Sequence, residues 1–359
     1  MCCIRRILLA LATLMLFVSA RAMACPMCAA ARQLTISAQE LVYAGHSVLA
    51  IPVVDRNEFR VVAVIKGDTP VDSTIAGPVF RADTAAMQSQ KPLLLIRDDA
   101  WPVWVNFGPV SAEQAGWLRH LSTTKRTTEM TDGEWREHVA YFLPYLENRE
   151  PMVAEIAFNE FVSAPYDALR SLKPRLDAAV IRAWLNNPNL VARRSVYLLL
   201  LGIGGTPLDA LRLEGRMGFA RQNHDVTDLP ALVGADLELR GPAGVEGIEK
   251  QYLADPGRSK QEIEAALVAL RVLGDTDGAV PRSRVIQAFV VFIRQQPSLA
   301  GLVAPKLAEW NDWDVVPEYS ALLESGAPQD PASRDAIVKY LESRPNRDVK
   351  IIPGSASIQ

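Results

Sequence analysis

Apolar residues follow three patterns in succession along this chain. The first is an unbroken run, Ile7–Val18, behind Arg5 and Arg6 and ahead of the small residues Ala22 and Ala24. A helix crossing a bilayer needs about 20 apolar residues, and this run is shorter. A basic start, a short apolar core and an Ala22-Met23-Ala24 site predict a secretory signal over residues 1–24, cut before Cys25. The second pattern is β-like. After a capping-box sequence at Ser37–Glu40, which predicts a short helix over 37–44, five strands are expected. They are Val48–Val54, Phe59–Ile65, Thr74–Phe80, Pro92–Arg97 and Trp101–Phe107, separated by Gly, Pro and Asp. So many short strands in so little chain point to a small closed barrel, because closure removes unpaired edges.

The third pattern has the helical period. It opens with a short helix from Ser111 to near His120. Thr131–Asn148 follows, with Trp135, Val139, Phe142, Leu143 and Leu146 along one stripe and Pro144 set to break it. Short amphipathic segments then run from Met152–Val162 to Ser333–Ser343, separated by turns such as Asn187-Pro188 and Gly204-Gly205-Thr206-Pro207. Antiparallel helix pairs stacked side by side are expected, forming a degenerate α-solenoid with no exact repeat length. The expected fold is therefore α+β and mostly α. A small barrel-like domain covers 25–122, a HEAT-like helical domain covers 123–345, and residues 346–359 form a loose tail.

Composition fits this picture: 49% hydrophobic and 22% charged residues belong to a globular chain. Loss of the signal takes away three arginines and shifts the formal net charge from −3 to −6. A mildly acidic exported protein is a poor match for nucleic acid or an anionic membrane. No later apolar run is long enough to span a bilayer. Cys2 and Cys3 leave with the signal, so Cys25 and Cys28 are the cysteines of the mature chain, and in an oxidising compartment they pair with each other or with another molecule.

Two resemblances arise from particular residues. The N-terminal Cys25-Pro26-Met27-Cys28, the short helix behind it and the strand ending in Val64-Ile65-Lys66-Gly67 make the first quarter of the chain resemble netrin-type or metalloproteinase-inhibitor-like OB barrels. Those inhibitors use a Cys-x-Cys start with partner cysteines further along, and this chain has neither. The Cys-Pro-x-Cys start together with Arg193–Gly202 and Trp310-Asn311-Asp312-Trp313 resembles a family of exported bacterial proteins with HEAT-like helices. That resemblance implies architecture and carries no activity.

Cys25 and Cys28 are the candidate reactive pair, since a two-residue spacer lets both sulfurs meet in one turn. The expected role is a local disulfide staple. The alternatives are a redox pair and a copper or zinc site, with His46 as a further candidate ligand. A thioredoxin-like site would need a preceding strand, and a haem site would need His where Ala29 stands. Lipidation of Cys25 is a minority alternative, because position 22 is Ala and not the usual Leu. His46, His120, His138 and His224 show no metal-binding helical spacing, and His120 and His138 are expected on solvated faces. Gly202-Ile203-Gly204-Gly205 follows a helix and lacks Lys, so it reads as a helix end and not a phosphate loop. Trp310 and Trp313 are expected to lock neighbouring helices, with a groove lined by both as the alternative. The expected function is an exported, non-enzymatic scaffold that binds a protein partner through its helical surface. The alternative is a thiol-based redox or copper protein acting through Cys25 and Cys28.

Overall fold

A computed structural model describes residues 25–31, 36–53, 56–77, 79–81, 88, 91–276 and 278–345; the expected signal over 1–24 and the expected tail over 346–359 lie outside the described residues. The fold is α+β and mostly helical, with one five-stranded antiparallel sheet and fifteen α-helices among the described residues. It divides into two compact units, one ending at Gly205 and one starting at Thr206. The sequence places that division near residue 122 instead. Hydrogen bonds, described below, tie helix residues beyond 122 to Cys25, Ile36 and Ala38 within the first unit.

The strands of the first unit are β1 (His46–Val53), β2 (Glu58–Lys66), β3 (Thr74–Ala76), β4 (Leu93–Arg97) and β5 (Val105–Pro109), in the order β3-β2-β1-β4-β5. Phe80, just beyond β3, forms a parallel bridge to Val105 of β5, donating to Trp104 O at 2.9 Å and accepting from Asn106 N–H at 3.0 Å. The two edges of the sheet are thereby tied together. One face buries Val48, Ala50, Phe59, Val61, Ile75, Val79, Leu93 and Leu95 as a single cluster. Residues of opposite alternation, Leu49 and Leu94, are also fully buried, which explains why the apolar runs of β1 and β4 are continuous. The last strand starts later than the pattern predicts. Asp98 Oδ1 accepts the Ala100 N–H at 2.8 Å, and Pro102 has no N–H for a ladder, so pairing begins only at Val105. Trp101 is left exposed, while Trp104 packs on the sheet core.

Helix α1 (Ala38–Tyr43) shows how local and distant residues share one task. Ser37 holds the N-cap position, but its side chain makes no capping bond. A carboxylate from another helix does this instead. At the other end, Lys66 Nζ donates to Val42 O at 2.7 Å and Leu41 O at 3.4 Å, placing a cation on the carbonyl end of the helix. Gly67 follows with φ +88°, and a Cβ there would approach His46 Nδ1 to 2.5 Å. The Lys-Gly pair thus caps a helix and clears room for a side chain.

The remaining helices of this unit are α2 (Ala115–Ser122), α3 (Asp132–Phe142), α4 (Pro151–Ser163), α5 (Tyr166–Arg170), α6 (Ala178–Leu185) and α7 (Arg194–Gly204). Thr131 and Glu134 form a full capping box at the start of α3, and its end at Phe142 precedes a 3-10 turn containing Pro144, as the sequence predicts. The second unit holds α8 (Pro207–Asn223), α9 (Leu229–Arg240), α10 (Pro242–Ile248), α11 (Lys260–Asp275), α12 (Arg282–Gln295), α13 (Ala304–Glu309), α14 (Val316–Ser325) and α15 (Pro331–Ser343). Here α8 packs on α9, α9 on α11, α11 on α12 and α13 on α15. A single π-turn, Glu249–Leu253, extends α10.

Candidate functional site

The cysteine pair lies in a closed turn. Cys28 N–H donates to Cys25 O at 3.0 Å, opening a 3-10 helix over Pro26–Ala31. Residues three apart in such a turn eclipse one another, so both thiols point to one side. Both cysteines are fully buried, as is Met27, whereas Pro26 is exposed. The two thiols are not joined by a disulfide. Cys25 N–H donates to Ala164 O, the C-cap carbonyl of α4, at 3.1 Å, and the turn packs against α7 and the 188–193 turn. His46 stands apart at the start of β1, with Nδ1 3.3 Å from Asp68 and Nε2 3.5 Å from Asp99. Among the described residues no three His, Cys, Asp or Glu side chains are arranged to hold a metal ion.

Helix α4 anchors this whole region. Its Glu160 is fully buried, accepting Ala38 N–H at 2.7 Å through Oε1 and meeting His138 Nε2 at 2.7 Å through Oε2. Its Asn159 donates to Ile36 O. His138 is thus buried between α3 and α4 beside Trp135 and Phe142, not on the solvated face its charged neighbours suggest. On the same helix, Glu155 accepts from Arg193 Nη2 at 2.7 Å, and Arg193 Nη1 reaches Glu147 at 2.6 Å. Tyr197 donates to that Glu147, and burial followed by the Glu147 contact pushes its phenol well above the usual range. These groups satisfy one another, as buried polar groups in a folded core do.

Trp310 and Trp313 face different neighbours. Trp310 stacks on Phe289 of α12 with ring centroids 5.7 Å apart and donates Nε1–H to Asp275 at 2.8 Å. It also fills the space left by Gly274, where a Cβ would come within 2.5 Å of its ring. Trp313 packs on Tyr340 of α15 at 4.9 Å. Each of the two indoles thus packs on the ring of a helix neighbour, Phe289 for Trp310 and Tyr340 for Trp313.

The feature that the sequence pattern conceals lies on α8. Its buried side carries Asp209, Ala210, Leu213, Met217 and Ala220. Its other side presents Leu208, Leu211 and Phe219, which are 55%, 60% and 67% exposed. Gly215 lies between them on the same stripe, and a Cβ added there meets nothing within 4 Å. Glycine in mid-helix costs about 1 kcal/mol relative to alanine, and no packing among the described residues requires it at this position. Helix α8 is therefore apolar on two sides and partnered on one. The signal was present as leucines and a phenylalanine off the core stripe, but the charged residues Arg212, Glu214 and Arg216 between them blur it.

Comparison with family models, with curated proteins and with solved structures gives no match for this chain.

Proposed function

We propose that this is an exported, non-enzymatic interaction protein that docks a protein partner on the outer face of α8. The observation that carries the proposal is the exposed stripe Leu208, Leu211 and Phe219 around an unexplained glycine. Exposed apolar side chains are common singly, whereas a set aligned on one helix face marks an interaction surface. On this reading the first unit is an OB-like barrel with helices docked on it, a view supported by the strand order and by the Phe80–Val105 bridge between the edges. The second unit is HEAT-like, in keeping with its consecutive packed helices. The partner is expected to co-purify with the tagged mature chain and to be lost from a Leu211→Asp, Phe219→Asp variant that keeps its thermal melting. Equal recovery with both chains would refute docking on α8.

The Cys25–Cys28 turn belongs to this reading as a staple of the mature N-terminus. Full burial supports it over a redox role, since an exchanging thiol must be reached by its partner. It also supports an unlipidated Cys25, because a docked turn leaves no room for an acyl thioether. The intact mass of the exported chain tests these points together. The expected species begins at Cys25 with no added mass beyond the loss of two hydrogens for a disulfide, and a lipid-sized increment or bound copper would contradict it.

A further inference from the structure

The second unit has a half-open cavity of about 110 Å³ between α8, α9 and α10, bordered by Gln251 of the π-turn. Two carboxylates line it, Glu214 and Asp236, against one guanidinium, Arg240. Arg240 Nε donates to Asp236 at 2.8 Å and Nη2 to Glu214 at 2.8 Å, so one cation serves two anions and the lining has a formal charge of −1. The Asp236 side chain is only 4% exposed; burial pushes its carboxyl above the usual range, and Arg240 pulls it back. Met217 and Ile248 supply apolar wall.

Two glycines of α10 complete the lining, for different reasons. Gly244 is fixed by packing, since its Cβ would lie 3.0 Å from Arg240 Cβ and 3.1 Å from a Leu237 methyl. Gly247 is not: its Cβ would reach only Gln251 Nε2, at 4.0 Å. Any larger side chain at 247 would occupy the cavity, and glycine keeps it open at a cost in helix stability.

We propose that this cavity is a receptor for an alkylammonium group. The ammonium sits with Asp236 and Glu214, whose second negative charge it neutralises, and the stem lies along Met217 and Ile248. A cavity holding about four waters' share of liquid volume is comparable in size with a four-carbon stem and its ammonium. A lysine of the docked partner and a free primary amine present the same chemistry. The lysine source rests on the docking proposal for α8, which contributes Glu214 and Met217; the amine source does not.

The test uses the mature chain and two probes, n-butylammonium and a 14-residue amphipathic leucine-rich helical peptide with one lysine. Titration calorimetry should show saturable n-butylammonium binding and none for n-butyrate. Asp236→Asn should weaken it by roughly ten-fold or more, the loss expected for one charge-assisted hydrogen bond. Gly247→Leu, which leaves every charge in place, should abolish it, and Glu214→Gln at the exposed rim should weaken it without disturbing the fold. Peptide binding tighter than the amine, with the excess lost in Leu211→Asp, Phe219→Asp, assigns the lysine source; a peptide no tighter than the amine assigns the free amine. Failure of n-butylammonium to saturate overturns the proposal, as does equal binding by the parent chain and a folded Gly247→Leu variant. Neither result touches docking on α8, which the co-purification experiment tests separately.

Discussion

At the scale of single residues, buried carboxylates do most of the specifying. Glu160 is a side chain from one helix that supplies the start of another and holds a histidine from a third. Removing it strands the His138 ring and the Ala38 N–H together. Glu160→Ala is therefore expected to destabilise the chain by about 3 kcal/mol, the usual cost of leaving a buried polar partner unsatisfied. Urea unfolding at neutral pH measures this, and a loss near zero would show that His138 finds another acceptor. Glu262, at the start of α11, makes the corresponding prediction for pH. Burial raises its carboxyl, but the Ser259 N–H, His224, the Ser259 hydroxyl and Arg258 outweigh burial and hold it at about 2. A carboxylate with a folded pKa below its free value stabilises fully above that free value, near 4.5, and loses the contribution as pH falls toward 2. Glu262→Gln is expected to flatten the acid side of the stability curve in that window and to leave the slope above pH 5 unchanged. An unchanged acid limb would mean that other carboxylates govern it.

At the scale of elements, helix ends and side-chain room decide what the apolar pattern leaves open. The helical texture, the break at Pro144 and the capping box at Thr131 were legible because each is a local signal. The capping box at Ser37–Glu40 was legible too, yet the cap came from Glu160, more than a hundred residues away. No short window of sequence contains such a partner. The burial of His138 was hidden in the same way, because its neighbours on the chain are charged while its neighbours in space are Trp135, Phe142 and Glu160. Trp310 and Gly274 were each visible, but their mutual fit was not. Gly274→Ala is expected to push the indole off Phe289 and to destabilise by about 1–3 kcal/mol, the range for overpacking a well-filled core. The loss should shrink in a Trp310→Ala background, where the clash no longer exists. Additive losses in a double-mutant cycle would show that the two residues act independently.

At the scale of the whole molecule, the chain divides into two compact units of different build. In the first, Cys25, Ile36 and Ala38 are tied to α4 and its C-cap by backbone and side-chain hydrogen bonds, and the cysteine turn, the sheet and the helices up to α7 form one compact unit. This is why a change from strand to helix texture near residue 122 does not mark the boundary between units. In the second, a train of packed helices carries one face, on α8, that the described residues leave exposed. On the proposed reading, the exposed stripe Leu208, Leu211 and Phe219 on α8 is where a partner docks. Site-specific photocrosslinking in the producing cell tests this most directly, with a benzophenone side chain placed at Leu211, at Phe219 or at exposed Glu246 on α10. The account predicts the same adduct, of one mass, from Leu211 and Phe219 and none from Glu246; no adduct at either α8 position, or an equal pattern at all three, would contradict it.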